Sequence, residues 1–125
     1  MTISYIVLFS KDMDATLAVY SEAIGLEVNE RYRTESGEDV AFLVERGGTP
    51  MVDQPLLEIV CHPDKAKDLS GIFLGFEVKN LEEIAEKMKK AGMKVINEPY
   101  SPSPGVKIIT MTGPDNETIE LMQNL

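Results

Sequence analysis

Two glutamates, Glu58 and Glu120, lie in the middle of short apolar segments that resemble each other, LLEIV at residues 56–60 and TIELM at residues 118–122. Carboxylates in apolar surroundings have a raised affinity for protons, so they can act as a general acid or base. They can also bind a cationic ligand or contribute to a metal site. These two residues are the first candidates for catalysis or binding.

Other chemistry-bearing residues are few, because the chain has one histidine, His62, and one cysteine, Cys61. A single cysteine excludes an internal disulfide framework and a cysteine-rich zinc site. No glycine-rich phosphate loop, Ser-His-Asp set or HExxH motif is present. His62 precedes Pro63 and lies roughly 13 Å along an extended strand from Glu58. We therefore expect His62 to be a surface turn residue rather than a ligand.

Composition places the chain among ordinary folded proteins, with 125 residues, 43% hydrophobic content and a net charge of −9. The negative charge would repel a phosphate backbone, so we expect no nucleic-acid partner. No apolar run approaches the roughly 18 residues of a membrane span, and the first residues lack the features of a signal peptide. We expect a cytoplasmic protein that does not bind membranes.

An internal repeat organises the sequence: residues 4–28 align with residues 72–95 in their apolar pattern. In the first half, Asp12 follows Tyr5 by seven positions, and Asn80 follows Phe73 by the same spacing. Each half predicts a strand, a helix and three further strands. We predict a module at residues 1–61, a connector at residues 62–70 and a second module at residues 71–125, together one domain.

In the first module, alternation of residue type predicts the first strand, and Asp12 is expected to cap a helix that ends at Gly25. The expected buried stripe of that helix is Met13, Leu17, Tyr20 and Ile24. Strands are predicted over residues 4–10, 26–33, 39–46 and 55–61, with a turn-rich segment at residues 47–55.

In the second module, Asn80 and Glu83 resemble a capping box, and Gly92 ends the helix that follows. Its expected buried stripe is Leu81, Ile84, Ala85 and Met88. A strand through Phe73 precedes this helix, and strands are predicted over residues 93–98, 105–112 and 117–123.

The repeat resembles the vicinal oxygen chelate superfamily, which includes glyoxalase I, extradiol dioxygenases, fosfomycin-resistance enzymes and bleomycin-binding proteins. Residues 12–28 are similar to its first helix and exit, and residues 113–122 resemble its closing Asp-Pro-Asp-Gly run and following strand. Gly113 and Asn116 depart from that run, although asparagine tolerates the left-handed conformation. The resemblance implies a mixed α+β fold in which two βαβββ modules form curved sheets around a cup.

In catalytic members of that family a divalent metal sits in the cup. The four ligand positions carry over to Tyr5, Glu58, Phe73 and Glu120. Two are carboxylates and two are aromatic, and the usual sites use at least two histidines where this chain has one. Zn²⁺, Ni²⁺ and Fe²⁺ prefer imidazole or thiolate beside carboxylate, so we expect no standard metal centre and no cofactor.

Strand parity assigns the remaining residues to the cup, because alternate side chains point to opposite faces. The helix-facing set, by contrast, is uniformly apolar: Ile6, Leu8, Leu57, Ile59, Leu74, Phe76, Ile119 and Leu121. An aromatic and aliphatic wall carrying acids suits an amphipathic small molecule with a basic group. The predicted ligand-binding residues are Tyr5, Val7, Phe9, Glu58, Phe73, Glu120 and Met122.

Three functions stay open. The first is a binding protein without a metal that sequesters a small molecule, as bleomycin-resistance proteins do. The second is a glyoxalase- or dioxygenase-type enzyme that uses Glu58 and Glu120 in an atypical metal or acid-base site. The third is a structural or interaction protein whose cup is filled. For Glu58 and Glu120 themselves, the alternatives are a ligand contact, a remnant of a metal-binding ancestor, or an ion pair with Arg31, Arg33 or Lys107. A homodimer is expected under all three, because an open sheet edge invites a partner.

Overall fold

Alternating apolar residues and two capped helical segments produce two copies of one order of elements. The computed structural model describes residues 3–48 and 56–125. Most of the predicted turn at residues 47–55, and the predicted start of the fourth strand at residue 55, lie outside the described residues. Within them the elements are β1 (Tyr5–Ser10), α1 (Met13–Leu17) with a π-helical continuation (Ala18–Ala23), β2 (Glu27–Arg33), β3 (Asp39–Val44), β4 (Leu56–Cys61), β5 (Phe73–Glu77), α2 (Leu81–Lys90), β6 (Val95–Tyr100), β7 (Val106–Thr112) and β8 (Thr118–Asn124).

The strands form two four-stranded sheets with equivalent orders, β1-β4-β3-β2 and β5-β8-β7-β6. In each sheet the first strand is parallel to its neighbour and the other pairs are antiparallel. The chain divides into two compact units, residues 1–67 and 68–125, and this boundary falls inside the predicted connector. The predicted α+β fold of two βαβββ modules is confirmed.

The first helix begins as predicted, because the Asp12 side chain accepts a hydrogen bond from the backbone N–H of Ala15 at 3.1 Å. It then widens into a π-helical segment, in which the N–H of Ile24 donates to the carbonyl of Val19. The wider turn adds a residue and shifts the helical phase. The fully buried positions are therefore Met13, Thr16, Val19, Tyr20 and Ala23, whereas Leu17 and Ile24 of the predicted stripe are only partly buried.

The second helix agrees with its prediction more closely. The Asn80 side chain accepts a hydrogen bond from the backbone N–H of Glu83 at 3.1 Å, and Gly92 follows the helix with a φ of 94°. Leu81, Ala85 and Met88 are buried along one side. No helix in residues 3–48 or 56–125 is long and apolar enough to cross a membrane.

Several strand boundaries differ from prediction: β1, β2 and β7 begin one residue later than predicted, and β8 is displaced by one residue at both ends. The strand predicted at residues 93–98 runs over Val95–Tyr100, because the N–H of Met93 still donates to the carbonyl of Met88 at the end of the helix. β6 can include Pro99 because it is an edge strand whose register shifts between Asn97 and Tyr100, where a missing N–H is tolerated. β3 ends at Val44 rather than residue 46.

The turn between β7 and β8 explains why residue 113 is glycine. The Glu117 side chain is buried, and its Oε1 accepts a hydrogen bond from the N–H of Asp115 at 2.7 Å. A Cβ on Gly113 would overlap the Glu117 carboxyl group, so a larger residue there would displace it. Asn116 has a φ of 71°, as its place in the turn predicts.

Candidate functional site

The two faces of the first sheet are distinguished by Ser10, at the end of β1. Its hydroxyl forms a 2.5 Å hydrogen bond with Thr16 in α1, so Ser10, Leu8 and Ile6 face the helix. Leu8 and Ile59 on this side are buried, as predicted. Ile6 is 36% exposed. Because alternate residues point to opposite faces, Tyr5, Val7 and Phe9 point to the other side, which we call the open face of the sheet.

Glu58 lies on the open face of the first sheet between two apolar neighbours. Val7 on β1 and Phe42 on β3 are its register partners. The Phe42 ring packs edge-to-face with Tyr32 at a centroid distance of 5.7 Å. Glu58 therefore has an apolar register partner on each side, where its carboxyl group loses part of its hydration, and Glu30 of β2 follows beyond Phe42.

Burial raises the pKa of the Glu58 carboxyl group, and the negative charge of Glu38 raises it further. Glu38 itself is held ionised: the hydrogen bond from Lys65, whose Nζ lies 2.5 Å from its Oε2, lowers the pKa of Glu38. Thr34 and Ser36 also donate hydrogen bonds to this carboxylate. The first unit thus contains one carboxyl group with a raised pKa and one with a lowered pKa.

The second sheet has its helix on the equivalent side. Lys107 of β7 forms an ion pair with Glu82 of α2, and the Gln123 side chain accepts a hydrogen bond from the N–H of Leu81 at 2.8 Å. Residues of opposite parity form the open face of this sheet. On β5, β7 and β8 they are Phe73, Gly75, Glu77, Val106, Ile108, Thr110, Thr112, Thr118, Glu120, Met122 and Asn124.

Glu120 lies between Gly75 on β5 and Thr110 on β7. No hydrogen bond or ion pair in the described ranges involves its carboxylate. Glu77, two residues along β5 from Gly75, accepts a hydrogen bond from Asn124. Glu120 therefore has a small and a polar neighbour, in contrast to the two apolar neighbours of Glu58.

The predicted ligand-binding residues fall into two groups, each gathered on one open face. Tyr5, Val7, Phe9 and Glu58 lie on the first, and Phe73, Glu120 and Met122 lie on the second. Tyr5 is in register with Leu56 rather than with Glu58. Phe73 is likewise in register with Thr118, so each ring is diagonal to its glutamate, about 8 Å away at Cα. Tyr5 is 56% and Phe73 64% exposed.

The suggested basic partners of Glu58 and Glu120 are wrong. Arg31 forms ion pairs with Asp39 and Asp14. Arg33 donates to the Gly37 carbonyl, and Lys107 is paired with Glu82. Arg31, Arg33 and Lys107 have the parity of the helix-facing residues, so the sheet itself separates them from the glutamates.

The donors on these faces do not fit a transition-metal site. Among the described residues, no three His, Cys, Asp or Glu side chains are grouped closely enough to bind a metal ion. The register partners of Glu58 offer only carbon atoms. His62 begins a turn, as predicted: its carbonyl accepts the N–H of Lys65 and its Nδ1 accepts the N–H of Asp64.

Tyr32, Phe42 and Thr110 were not predicted as site residues. Their positions on the open faces follow from cross-strand register, which parity within a single strand does not give. The register of β2 shifts between Val28 and Glu30, and this irregularity conceals the position of Tyr32. The alternation of Val40 and Phe42 with Ala41 and Leu43 is the available sequence signal for Phe42.

Each of the two units has the βαβββ order and carries a carboxylate on its open face. Comparison of the sequence with known protein families identifies the class of protein to which this architecture belongs. The sequence matches the Glyoxalase/Bleomycin resistance protein/Dioxygenase superfamily over residues 2–121. The chain therefore belongs to this superfamily. No curated protein matches the sequence significantly.

Solved structures support the same fold. A glyoxalase family protein from Bacillus cereus superposes with a TM-score of 0.83 at 16% identity, covering 100% of this chain and 95% of that one. TnmS3, an antibiotic binding protein from a Streptomyces species, gives 0.72 at 16% identity, with coverages of 100% and 97%. The fosfomycin resistance protein FosX from Listeria monocytogenes gives 0.74 at 19% identity, with coverages of 99% and 94%. At these identities the similarity establishes the fold alone.

Proposed function

We propose that this protein binds and sequesters an amphipathic small molecule that carries a basic group, without the metal centre of its catalytic relatives. The observation that carries this proposal is the setting of Glu58, a carboxylate between Val7 and Phe42 with no basic partner in the described ranges. Such a carboxylate is a binding site for a cation that brings its own apolar surface. Of the predicted ligand-binding residues, Tyr5, Val7 and Phe9 share the open face of Glu58, and Phe73, Glu120 and Met122 are proposed to contact ligand on the open face of the second sheet.

Aromatic side chains strengthen the case for a flat, cationic ligand. Tyr32 and Phe42 form an aromatic pair beside Glu58, and aromatic ring faces attract cations within about 6 Å. TnmS3, with the same fold, is an antibiotic binding protein. We accordingly expect the natural ligand to combine an aromatic system with a positive charge.

The test compares two fluorescent aromatic probes of opposite charge, proflavine and fluorescein, in titrations at pH 7.5. We expect saturable binding of the cation proflavine and none of the anion fluorescein. Glu58→Gln, which keeps the shape and removes the charge, should weaken proflavine binding by about 10- to 150-fold, since a charged hydrogen bond contributes about 1.5–3 kcal/mol. Equal binding of both probes, or of neither, would contradict the proposal.

A second function is favoured by one observation, the raised pKa of Glu58. A carboxyl group of this kind is suited to proton transfer, and it would serve an enzyme of glyoxalase or dioxygenase type with an acid-base or atypical metal site. Metal analysis of the purified protein, with thermal melts in Ni²⁺, Zn²⁺ and Mn²⁺, separates the alternatives. Stoichiometric tight metal would favour the enzyme. A melting shift with proflavine alone would favour the binder.

We also propose that the protein is a homodimer. β1 is an edge strand, and Ile3 and Tyr5 at its start are exposed apolar residues. Exposed edges of this kind are commonly covered by a partner. Sedimentation of the wild type should show a dimer, and Ile3→Glu should shift it toward the monomer; a monomeric wild type would refute this.

A further inference from the structure

Gly75 occupies a position where nothing in residues 3–48 or 56–125 requires glycine. It lies in the middle of β5, which pairs with β8 in unbroken register from Phe73 to Glu77. It does not have a positive φ, and a Cβ added there would meet no atom within 4 Å. Glycine inside a strand costs conformational entropy on folding, and among the described residues no turn, bulge or close packing accounts for it.

A glycine in a strand interior that serves no bulge or bend often marks close approach by a ligand or by another backbone. The space above Gly75 is bounded on the same open face by Phe73 and Glu77 along β5 and by Glu120 across on β8. We call this space the Gly75 gap. Of its two carboxylates, Glu77 has a hydrogen-bond donor in Asn124, whereas Glu120 has no hydrogen bond or ion pair among the described residues.

The internal repeat supplies a comparison within the same molecule. Val7 in β1 is the counterpart of Gly75, because each is the register partner of the glutamate in the adjacent strand. On the first sheet Val7 fills the space beside Glu58. On the second sheet the equivalent space is open, so a ligand atom can reach the Glu120 carboxylate from the β5 side.

We propose that the Gly75 gap is a second cation site, on the open face of the second sheet, that receives a primary alkylammonium bound by Glu120; this rests on the proposed function and extends it beyond the site at Glu58. The carboxylates that border the gap, Glu120 and Glu77, are acceptors, and they suit the three N–H donors of an ammonium. Phe73 adds an aromatic ring on the same face. Gly75 is thus a specificity-determining residue, because any side chain there would occupy the space of the ammonium.

The test uses dansylcadaverine, a fluorophore with a primary alkylammonium tail, and its uncharged N-acetyl derivative. We expect wild-type protein to prefer dansylcadaverine. Gly75→Val, which introduces the side chain found at position 7, should weaken its binding about tenfold and remove the preference over the acetyl derivative. Glu120→Gln should remove the same preference. Gly71→Ala, in the turn before β5 and also free of contacts, is the matched control and should bind as the wild type does.

Thermal melting separates a specificity role from a structural one. Valine favours strands and meets no clash here, so Gly75→Val should melt at the wild-type temperature or above while it loses affinity. A lowered melting temperature for Gly75→Val would indicate that glycine is needed for folding and would overturn the proposal. Retention of the preference for dansylcadaverine by Gly75→Ala would also overturn it.

The remaining outcomes discriminate between the two proposals. Unchanged binding of dansylcadaverine by Gly75→Val would overturn the proposed cation site at the Gly75 gap. If the sedimentation coefficient also changed, position 75 would instead be assigned to contact with a second copy of the chain. Wild-type binding of proflavine without dansylcadaverine would overturn the ammonium site alone. Binding of neither probe would overturn the proposed function and, with it, this inference.

Discussion

On the open face of the first sheet, Glu58 lies between Val7 and Phe42, whereas on the second sheet Glu120 lies between Gly75 and Thr110. The sheets otherwise share their strand order and have a capped helix on the equivalent side. The two halves of the repeat therefore share the helix-facing side of the sheet and differ in the residues beside the glutamate on the open face. This difference suggests that the helix-facing side maintains the fold, while the open face is free to diversify for binding.

The largest effect should come from the side that the two sheets share. Ile59 of β4 and Leu121 of β8 are equivalent in the repeat, and both are fully buried. We expect Ile59→Ala and Leu121→Ala each to lower the free energy of unfolding by about 2–5 kcal/mol, because each leaves a cavity. Urea denaturation followed by circular dichroism measures this. A markedly smaller loss for one of the pair would show that the two helix-facing sides are not equivalent.

The helix caps provide a second matched pair. Asp12 and Asn80 each accept a hydrogen bond from a backbone N–H in the first turn. Replacing either with alanine should lower the free energy of unfolding by about 0.5–2 kcal/mol. Thermal melts of Asp12→Ala and Asn80→Ala provide the measurement. No change in either melt would mean that the capping bonds do not stabilise the helices, whose tertiary packing would then be sufficient.

The open face of the first sheet should make stability depend on pH, because burial and the charge of Glu38 raise the pKa of Glu58 above its ordinary value of 4.5. The unfolded chain then ionises more readily than the folded one, so stability falls as pH rises from below 4.5 through the folded pKa. Glu58→Gln removes this loss. We expect the variant to have a higher melting temperature than the wild type at pH 7, and the difference between the two melting temperatures to disappear at low pH. An equal difference at every pH would contradict this.

The smallest effect should come from Lys65, whose hydrogen bond lowers the pKa of Glu38. A lowered carboxylate pKa gives stability that is present above the ordinary pKa and is lost as pH falls through the folded one. Lys65→Met should therefore reduce stability slightly at neutral pH and flatten its decline in acid. Carbon-13 NMR titration of the Glu38 carboxyl group should show a higher pKa in the variant. An unchanged titration would show that the ion pair is not maintained in solution.

Much of the fold was predictable because its signals are local. Asp12 and Asn80 can be identified as caps from their neighbours along the chain, and the alternation around Glu58 and Glu120 indicates strands. The π-helical segment was not predicted, because the apolar spacing of Met13, Leu17, Tyr20 and Ile24 fits an ordinary α-helix. The extension of β6 through Pro99 likewise depends on its being an edge strand, which single-strand patterning does not disclose.

The sequence by itself determined the repeat, the order of elements, the two central glutamates and the apolar side of each sheet, because each depends on residue types at fixed spacing. Only the tertiary structure decided what lies beside those glutamates: Phe42 on one sheet, and Thr110 with the space above Gly75 on the other. Neighbours across a sheet are set by hydrogen-bond register between strands that are distant in the chain. No local pattern records that register, so the chemistry of the two carboxylates became apparent only in the folded protein.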